Sequence, residues 1–316
     1  MKLDPHDAAY PRSLLHLDEP PALTVSGPLA AGRRVVAIVG SREATKEACA
    51  FTHALAYHLA KAQVVVASGG AQGVDAMAHI GALKAGSTWC VACTGRGAVF
   101  PPSNRALFEE IEASAAARMI WPLPDGTPKD VHTPRYRNGV LVGLAECVVV
   151  VQAAMQSGSR NAATWARRLD RRLFFVPSLP WDQAYAGSIQ EAARGDAETL
   201  WSIEYLFAKL ELPAPDLTDP GAAWSGIMPP SAPVRRSRRR VPAYAQPPLF
   251  PVDPGAWTDD EKHVFSKLSM APIQQDRIID LSGLPTSSTL TALLTLSLKD
   301  VVVEGPDGFF RRKIAL

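Results

Sequence analysis

Four short apolar runs of this chain each lead into a turn suited to binding phosphate groups. The first run, VVAIV, ends in Gly40-Ser41-Arg42, and similar turns occupy residues 68–79, 94–107 and 152–163. Glycine lets the backbone approach an anion closely, and free N–H groups at a helix N-terminus favour negative charge. Serine hydroxyls and guanidinium groups add further donors. Several such turns predict a ligand with several phosphates, and their side-chain donors are Ser41, Ser157, Ser159, Arg42, Arg96 and Arg160.

Motifs for nucleotide hydrolysis or covalent catalysis are missing from the sequence. We find no G-x-x-x-x-G-K-[ST], no H-E-x-x-H and no G-x-S-x-G, and no clean G-x-G-x-x-G follows the first strand. Asp75 and His79 are spaced for one helical face and could do acid–base work, but no nucleophile stands beside them. We therefore expect Asp75 to cap a helix and His79 to pack beneath it. The sequence favours a binding protein over an enzyme, with no metal and no cofactor.

Cysteine content, charge and hydropathy narrow the class of protein. The chain has four cysteines, too few for a disulfide framework in 316 residues. Cys90 and Cys93 form a C-x-x-C within a predicted strand, which favours buried core cysteines over a redox or metal site. The net charge is only +2, so any attraction to nucleic acid must be local. No apolar run is long enough to span a bilayer and no signal peptide is evident, which predicts a cytoplasmic protein without membrane contact.

The elements that must position these turns alternate between strand and helix. Strands are predicted over residues 35–39, 64–67, 88–93, 119–121, 147–152 and 173–176. Helices are predicted over 46–62, 74–85, 104–117, 137–144, 161–171 and 188–194. Strands that are apolar on both faces, each followed by a helix, indicate a parallel sheet covered on both sides. We therefore predict a doubly wound, Rossmann-like α/β domain, with its site where the strands end.

Changes in composition divide the chain into four parts. A lead-in covers 1–30, the Rossmann-like domain 31–211, a proline- and arginine-rich linker 212–256, and a small domain 257–316. The linker lacks a helical or strand period and is predicted to be extended. Its arginines would attract polyanions, or form a merely solvating charge run: Arg235, Arg236, Arg238, Arg239 and Arg240.

The small domain has the pattern of a winged helix. Three predicted helices begin near Thr258, Ile273 and Thr286, and a hairpin follows with its turn at 306–308. We expect the third helix to bury a leucine stripe and to expose mainly serine and threonine, which is a poor surface for phosphates. The stripe is Leu290, Leu293, Leu294 and Leu298, and the wing supplies Arg311, Arg312 and Lys313. Contact with protein and weak contact with DNA both remain open.

In their order and spacing, these blocks resemble the DprA/Smf family of DNA-processing proteins. The resemblance rests on VAIVGSREAT, ASGGAQGVDAMAHIGAL, FPPSNRALFEEI and RNGVLVGLAECVVVVQAAMQSGS, and it covers nearly the whole chain. It implies a homodimer that binds single-stranded DNA on the Rossmann-like domain and helps to load the recombinase RecA during natural transformation. It implies that Arg42, Arg137 and Asn138 contact the strand, together with Ser157, Gly158 and Ser159.

The chain departs from the family pattern at several positions. Gln72 and Gly139 stand where the family usually has arginine, Gln152 where glutamate is common, and Phe100 where tyrosine is common. Loss of two arginines is expected to weaken strand binding and to flatten its salt dependence. Arg135, Arg160 and the linker arginines could compensate.

Two other functions compete with single-strand binding. One is a nucleotide hydrolase or phosphoribohydrolase, although its P-G-G-x-G-T motif and catalytic glutamate are missing. The other is an adaptor, in which the sheet senses a nucleotide and the winged helix recruits a protein.

Overall fold

The computed structural model describes residues 1–154, 157–179, 182–224, 257–269, 273–299, 301–305 and 309–312. The chain divides into two compact units, Met1–Val234 and Arg235–Leu316. Among the described residues, no helix is long and apolar enough to cross a membrane.

A nine-stranded sheet forms the centre of the first unit. Its strands are β1 (Lys2–Leu3), β2 (Leu23–Val25), β3 (Val35–Gly40), β4 (Val65–Ser68), β5 (Thr88–Val91), β6 (Arg118–Trp121), β7 (Cys147–Val151), β8 (Arg172–Phe175) and β9 (Glu198–Thr199). They are ordered β1-β2-β6-β5-β4-β3-β7-β8-β9. The strands from β3 to β9 are mutually parallel, whereas β1 and β2 add an antiparallel edge beside β6. The predicted doubly wound parallel sheet is confirmed; the sequence pattern did not show β1, β2 or β9.

Among the described residues of the first unit, seven α-helices connect and cover the strands. They are α1 (Lys46–Lys61), α2 (Val74–Leu83), α3 (Arg105–Ala113), α4 (Thr133–Leu144), α5 (Gly158–Arg168), α6 (Ala186–Ala192) and α7 (Ile203–Lys209). Six of them overlap the predicted helices, and α7 was not anticipated. Helices α4 and α5 begin earlier than predicted, because each first turn carries polar and small residues that break the apolar period.

Both faces of the parallel sheet are buried, which explains its continuous apolar runs. Val35, Ala37 and Val39 belong to the core that includes residues of α4 and α5, whereas Val36 and Ile38 belong to the core that includes residues of α1 and α2. Successive side chains of a strand point to opposite faces, so a strand covered on both sides shows no alternation of apolar and polar residues.

The part of the chain that packs on the first unit extends beyond α7, further along the sequence than predicted. A linker was expected from residue 212, but the 3-10 helix Pro220–Ala222 packs on α1. There Tyr57 donates a hydrogen bond to Asp219 (2.9 Å), Lys61 pairs with the same carboxylate, and His53 Nδ1 lies 2.9 Å from the carbonyl of Ala222. Tertiary contacts order a segment that has no period of its own. The predicted arginine run, residues 235–240, lies outside the described residues.

The second unit is a winged helix. Its helices are α8 (Asp259–Lys267), α9 (Gln275–Ser282) and α10 (Thr286–Leu298), and its strands are β10 (Ile273–Gln274), β11 (Val302–Gly305) and β12 (Phe309–Arg312). The strands pair antiparallel in the order β10-β12-β11. Thr258 begins α8 with a capping box to Glu261, and Gly283 ends α9 in the left-handed conformation. The predicted hairpin turn, 306–308, is not among the described residues.

Candidate functional site

The strand order reverses between β3 and β7, and a cleft opens at this point. The chain proceeds from β3 outward through β4, β5 and β6, then returns to the other side of β3 for β7 and β8. In open α/β sheets, ligands bind outside the carboxyl ends of the strands at such a switch point. The cleft, here called the switch-point cleft, has a volume of about 390 Å³. Its lining includes Gly40, Ser41, Arg42, Arg137, Asn138, Ser157, Gly158 and Ser159.

Backbone contacts fix the turn after β3. The Ser41 N–H donates to the carbonyl of Val151 (3.2 Å), and the Ser41 carbonyl accepts from Val74 N–H (3.1 Å). Gly40 permits this packing, since a Cβ at this position would lie 2.0 Å from the Val151 oxygen. Arg42, the next residue, is exposed, and its guanidinium makes no hydrogen bond or ion pair within the described parts of the chain. The turn therefore presents a free positive charge on a rigid support.

Arg137 forms a buried positive floor between β4 and α4. Its side chain is 6% exposed, and Nη1 lies 3.9 Å from Oδ2 of Asp75. The guanidinium lies against the backbone of Gly69, where a Cβ would be 1.2 Å from Nη1. Both Nε and Nη1 are buried without a hydrogen-bond partner. Such a group is unusually costly in a folded protein, which is characteristic of a position that serves a ligand.

Asp75 and His79 have separate partners rather than forming a pair. Burial raises the pKa of Asp75, and Arg137 acts in the opposite direction. Contrary to the prediction, Asp75 is not the cap of α2, because Gly73 occupies that position without a side-chain cap; Asp75 instead accepts the N–H of Ala71 (3.3 Å) and so fixes the preceding loop. His79 instead lies 2.7 Å from the Thr88 hydroxyl, and burial lowers its pKa to about 3. A neutral, fully buried imidazole is consistent with packing rather than with acid–base work.

Residues at the starts of α4 and α5 form the third wall of the cleft. Asn138 donates to the carbonyl of Gly158 and to Asn161 Oδ1, both at 3.1 Å, and so ties α4 to α5. The hydroxyls of Ser157 and Ser159 lie 2.7 Å apart. Within the described residues, the N-cap Ser157 makes no side-chain cap hydrogen bond to α5. Amide N–H groups and hydroxyls at this helix start are therefore available to an anion.

Arg160 does not line the cleft, contrary to its predicted role. Its Nε and Nη2 lie 2.7 and 2.6 Å from Oε1 of the buried Glu191. Arg167 binds the other oxygen of Glu191, and its Nη2–Oε2 distance is 2.7 Å. Burial acts to raise the pKa of Glu191, but the hydrogen bonds from the two arginines outweigh it and lower that pKa. A buried carboxylate needs such partners. The guanidinium of Arg160, which was predicted to bind the ligand, therefore neutralises Glu191 instead.

The remaining predicted residues of this domain lie further along the carboxyl edge of the sheet. Gln72 donates to the Ser103 hydroxyl (2.9 Å) and lines a hollow of about 50 Å³ between Arg42, Arg137 and Phe100. We call this the connecting hollow. Arg96 is exposed and lines a separate pocket of about 320 Å³ beside α3.

The departures from the family pattern have different structural consequences. A Cβ at Gly139 would lie 3.0 Å from the indole of Trp165, outside the switch-point cleft. An arginine at Gly139 would therefore begin beside Trp165 rather than in this cleft, and the expected weakening of strand binding by its absence stays a prediction. Gln152 hydrogen-bonds both the N–H and the hydroxyl of Thr45, at 2.9 and 3.0 Å, which anchors the start of α1.

The winged helix differs from the prediction at its third helix and its wing. Leu293 is buried, but Leu290 and Leu294 are 37% and 62% exposed, so they are not part of the core stripe. Lys299 binds the buried Glu261 at 2.8 Å. Arg312 donates to the carbonyl of Phe265 and lies over its ring, and Arg311 is half-buried. Lys313 and the side chain of Leu298 fall beyond what the structure describes.

The cysteines agree with their predicted place in the core. All four are free and buried, and burial raises the pKa of Cys90 and of Cys93. Among the described residues, no group of three or more His, Cys, Asp or Glu side chains is placed to hold a metal ion.

Sequence reasoning missed three residues that line these pockets. Pro134 and Glu43 line the switch-point cleft, and Arg105 lines the pocket beside α3. Arg105 opens the helix that follows a strand-end turn, and that position was a usable signal. The others are placed by tertiary contacts alone.

Comparison with known proteins identifies relatives over both units. The family model described as DNA recombination-mediator protein A matches residues 2–211, and the DprA winged helix domain matches residues 246–308. Protein Smf of Synechocystis is 29% identical, across 98% of this chain and 80% of its own length. DNA processing protein DprA of Bacillus subtilis is 32% identical, across 64% of this chain and 68% of its own.

Solved structures show the same architecture. DNA processing protein A of Streptococcus pneumoniae has a TM-score of 0.62 at 26% identity, over 66% of this chain and 74% of its own. The Helicobacter pylori protein has a TM-score of 0.60 at 25% identity, over 67% and 95%.

Proposed function

This chain belongs to the DNA recombination-mediator protein A family, and on that premise we propose that it binds single-stranded DNA in the switch-point cleft. Binding is independent of sequence at this cleft, because its donors are backbone amides, serine hydroxyls and arginines, which recognise phosphates rather than bases. The relative from Helicobacter pylori binds single-stranded DNA, which supports the same ligand here.

The observation that carries the proposal is the pairing of Arg42 with Arg137. Arg42 is exposed and unpaired at the rim, within the described chain, while Arg137 lies buried on the floor with two unsatisfied nitrogens. A phosphate above them would meet the exposed guanidinium of Arg42 from one side and the buried positive charge of Arg137 from beneath. The low exposure of Arg137 makes its charge less screened by solvent than a surface charge.

The test is a titration of the full chain with a mixed-sequence single-stranded oligonucleotide at several salt concentrations. We expect Arg42→Ala to weaken binding about tenfold, since a hydrogen-bonded charge contact contributes roughly 1.5–3 kcal/mol. The slope of log K against log salt should fall by about 0.7, the value for one phosphate contact on a single strand. Arg12→Ala is the matched control, because Arg12 is also exposed but does not line the cleft. Equal affinities for wild type and Arg42→Ala would sink the proposal.

Delivery of the bound strand to a RecA-type recombinase is the second part of the proposal. It is supported by the description of the family as recombination mediators. The measurement is recombinase nucleation on DNA coated with single-strand-binding protein: the full chain should shorten the lag, and an unchanged lag would contradict this role. We also propose a homodimer, to be checked by sedimentation, in which a monomer at micromolar concentration is the contrary result.

The protein acts in this scheme by binding rather than by catalysis. His79 is committed to Thr88 and Asp75 to Arg137 and the Gly-rich loop, so neither is poised beside a nucleophile. Incubation with nucleoside monophosphates should release no free base. Release of base would instead support a phosphoribohydrolase.

A further inference from the structure

A second pocket lies beyond the switch-point cleft on the same carboxyl edge of the sheet. Arg42 and Arg137 line both the cleft and the connecting hollow, and Phe100 lines both the hollow and the pocket beside α3. The cleft, the connecting hollow and this pocket are therefore neighbours along one edge of the sheet. Its volume of about 320 Å³ lies in the range of small-ligand pockets, roughly 300–1,000 Å³.

The chemistry of the pocket differs from that of the cleft. Its inner wall is apolar and aromatic, with Phe108, Met119 and Trp121 nearly buried. Its rim carries two exposed arginines, Arg96 and Arg105. Neither guanidinium has an ion pair or side-chain hydrogen bond within the described chain, so both are available to a phosphate. An apolar, partly aromatic wall with two unpaired arginines at its rim is suited to a nucleotide.

Two carboxylates in the lining of the pocket supply hydrogen-bond acceptors. Glu109 and Glu112 lie one helical turn apart on α3 and line the same pocket. Both are exposed and make no ion pair with any described residue. A surface that binds only phosphates would exclude carboxylates, because they repel the negatively charged sugar–phosphate backbone of the strand. Carboxylates accept hydrogen bonds from the exocyclic amino groups of bases, as they do from cytosine N4.

We propose that this pocket, the base pocket, holds one nucleobase of the bound strand, with its phosphate at Arg96 and Arg105 and its amino group at Glu109 and Glu112. The inference rests on the proposed function, since the strand reaches the pocket from the switch-point cleft. It adds a preference to otherwise sequence-independent binding. Cytosine and adenine carry an exocyclic amino group that can donate to a carboxylate, whereas thymine offers only carbonyl acceptors at the corresponding position.

The experiment compares oligo(dC) with oligo(dT) of equal length on the full chain. Wild type should bind oligo(dC) about fivefold more tightly, because one solvent-accessible discriminating contact gives somewhat less than the tenfold of a good bidentate pair. The double variant Glu109→Ala/Glu112→Ala should bring the ratio of the two affinities close to one. Glu110→Ala is the matched control: Glu110 is an exposed carboxylate on the same helix that does not line the pocket.

The ratio separates this inference from a general charge effect. Removing any glutamate near the strand raises the affinity for both oligonucleotides, whereas only a contact with a base changes their ratio. Equal binding of oligo(dC) and oligo(dT) by wild type, with the Arg42 dependence intact, would overturn the base pocket and leave the proposed function standing. A change of ratio in Glu110→Ala as large as in the double variant would also overturn it. Failure to bind any strand would overturn the proposed function itself.

Discussion

At the scale of single residues, burial separates the arginines that serve a ligand from those that serve the fold. Arg42 is exposed and unpaired within the described residues, whereas Arg160 and Arg312 bind a buried carboxylate and a backbone carbonyl. Arg137 is an intermediate case, because it is buried and ion-paired with Asp75 but two of its nitrogens lack a hydrogen-bond partner. Residue type alone does not distinguish these roles, since each requires the same donors and the same charge.

The absence of a side chain at Gly69 leaves the space that the guanidinium of Arg137 occupies. A methyl group at Gly69 would overlap the guanidinium, so Gly69→Ala should displace Arg137 and lower the free energy of unfolding by roughly 1–3 kcal/mol. In a double-mutant cycle with Arg137→Ala, the clash is already gone, so the combined loss should be smaller than the sum. Chemical denaturation of the four proteins measures this coupling, and strictly additive losses would contradict the contact.

At the scale of elements, α2 is attached to the sheet by a chain of two hydrogen bonds. The Thr88 hydroxyl donates to the carbonyl of Val66 (2.7 Å), so its oxygen accepts from Nδ1–H of His79 (2.7 Å). The other ring nitrogen, Nε2, is buried without a partner. A proton on Nε2 would have no acceptor, which explains why burial lowers the pKa of His79 from 6.5 to about 3.

The stability of the first unit should therefore fall in mild acid. A histidine whose pKa is lowered by folding contributes its full stability above the unfolded pKa of 6.5, and loses it as the pH falls towards about 3. By pH 4 the loss should be on the order of 3 kcal/mol. His79→Asn, which keeps a donor towards Thr88 but does not titrate, should be less stable than wild type at pH 7.5, with a gap that narrows on acidification. Urea denaturation at several pH values measures the gap, and a constant gap would contradict the assignment.

At the scale of the whole molecule, the first unit includes a segment that resembles a linker in sequence but packs on α1. The 3-10 helix Pro220–Ala222 supplies a partner to His53, and Asp219 supplies one to Tyr57 and Lys61 of α1. The described contacts of the first unit therefore extend to Ala222, past the predicted boundary at 211. The second unit folds around its own core, which contains Trp257, Phe265 and Leu293.

Truncation should show how far along the chain residues contribute to the stability of the first unit. A chain ending at residue 224 should unfold at a temperature a few degrees above that of a chain ending at 211, because it retains the contacts with α1. Asp219→Ala should lower the unfolding temperature of the longer chain part of the way towards that of the shorter one. Thermal unfolding followed by circular dichroism provides the measurement, and equal midpoints would show that these contacts add nothing to stability.

The sequence by itself determined the doubly wound sheet, the winged helix and the approximate position of the cleft. These follow from apolar period, turn residues and the rule that parallel strands end at one edge, all of which are local properties. The tertiary structure decided which arginines face the ligand, that Gly139 lies against Trp165, that Leu290 and Leu294 are exposed, and that residues 220–222 cover α1. Each depends on a partner far along the chain, such as Glu191 for Arg160. Long-range contacts of this kind leave no period or spacing in the sequence from which they could be predicted.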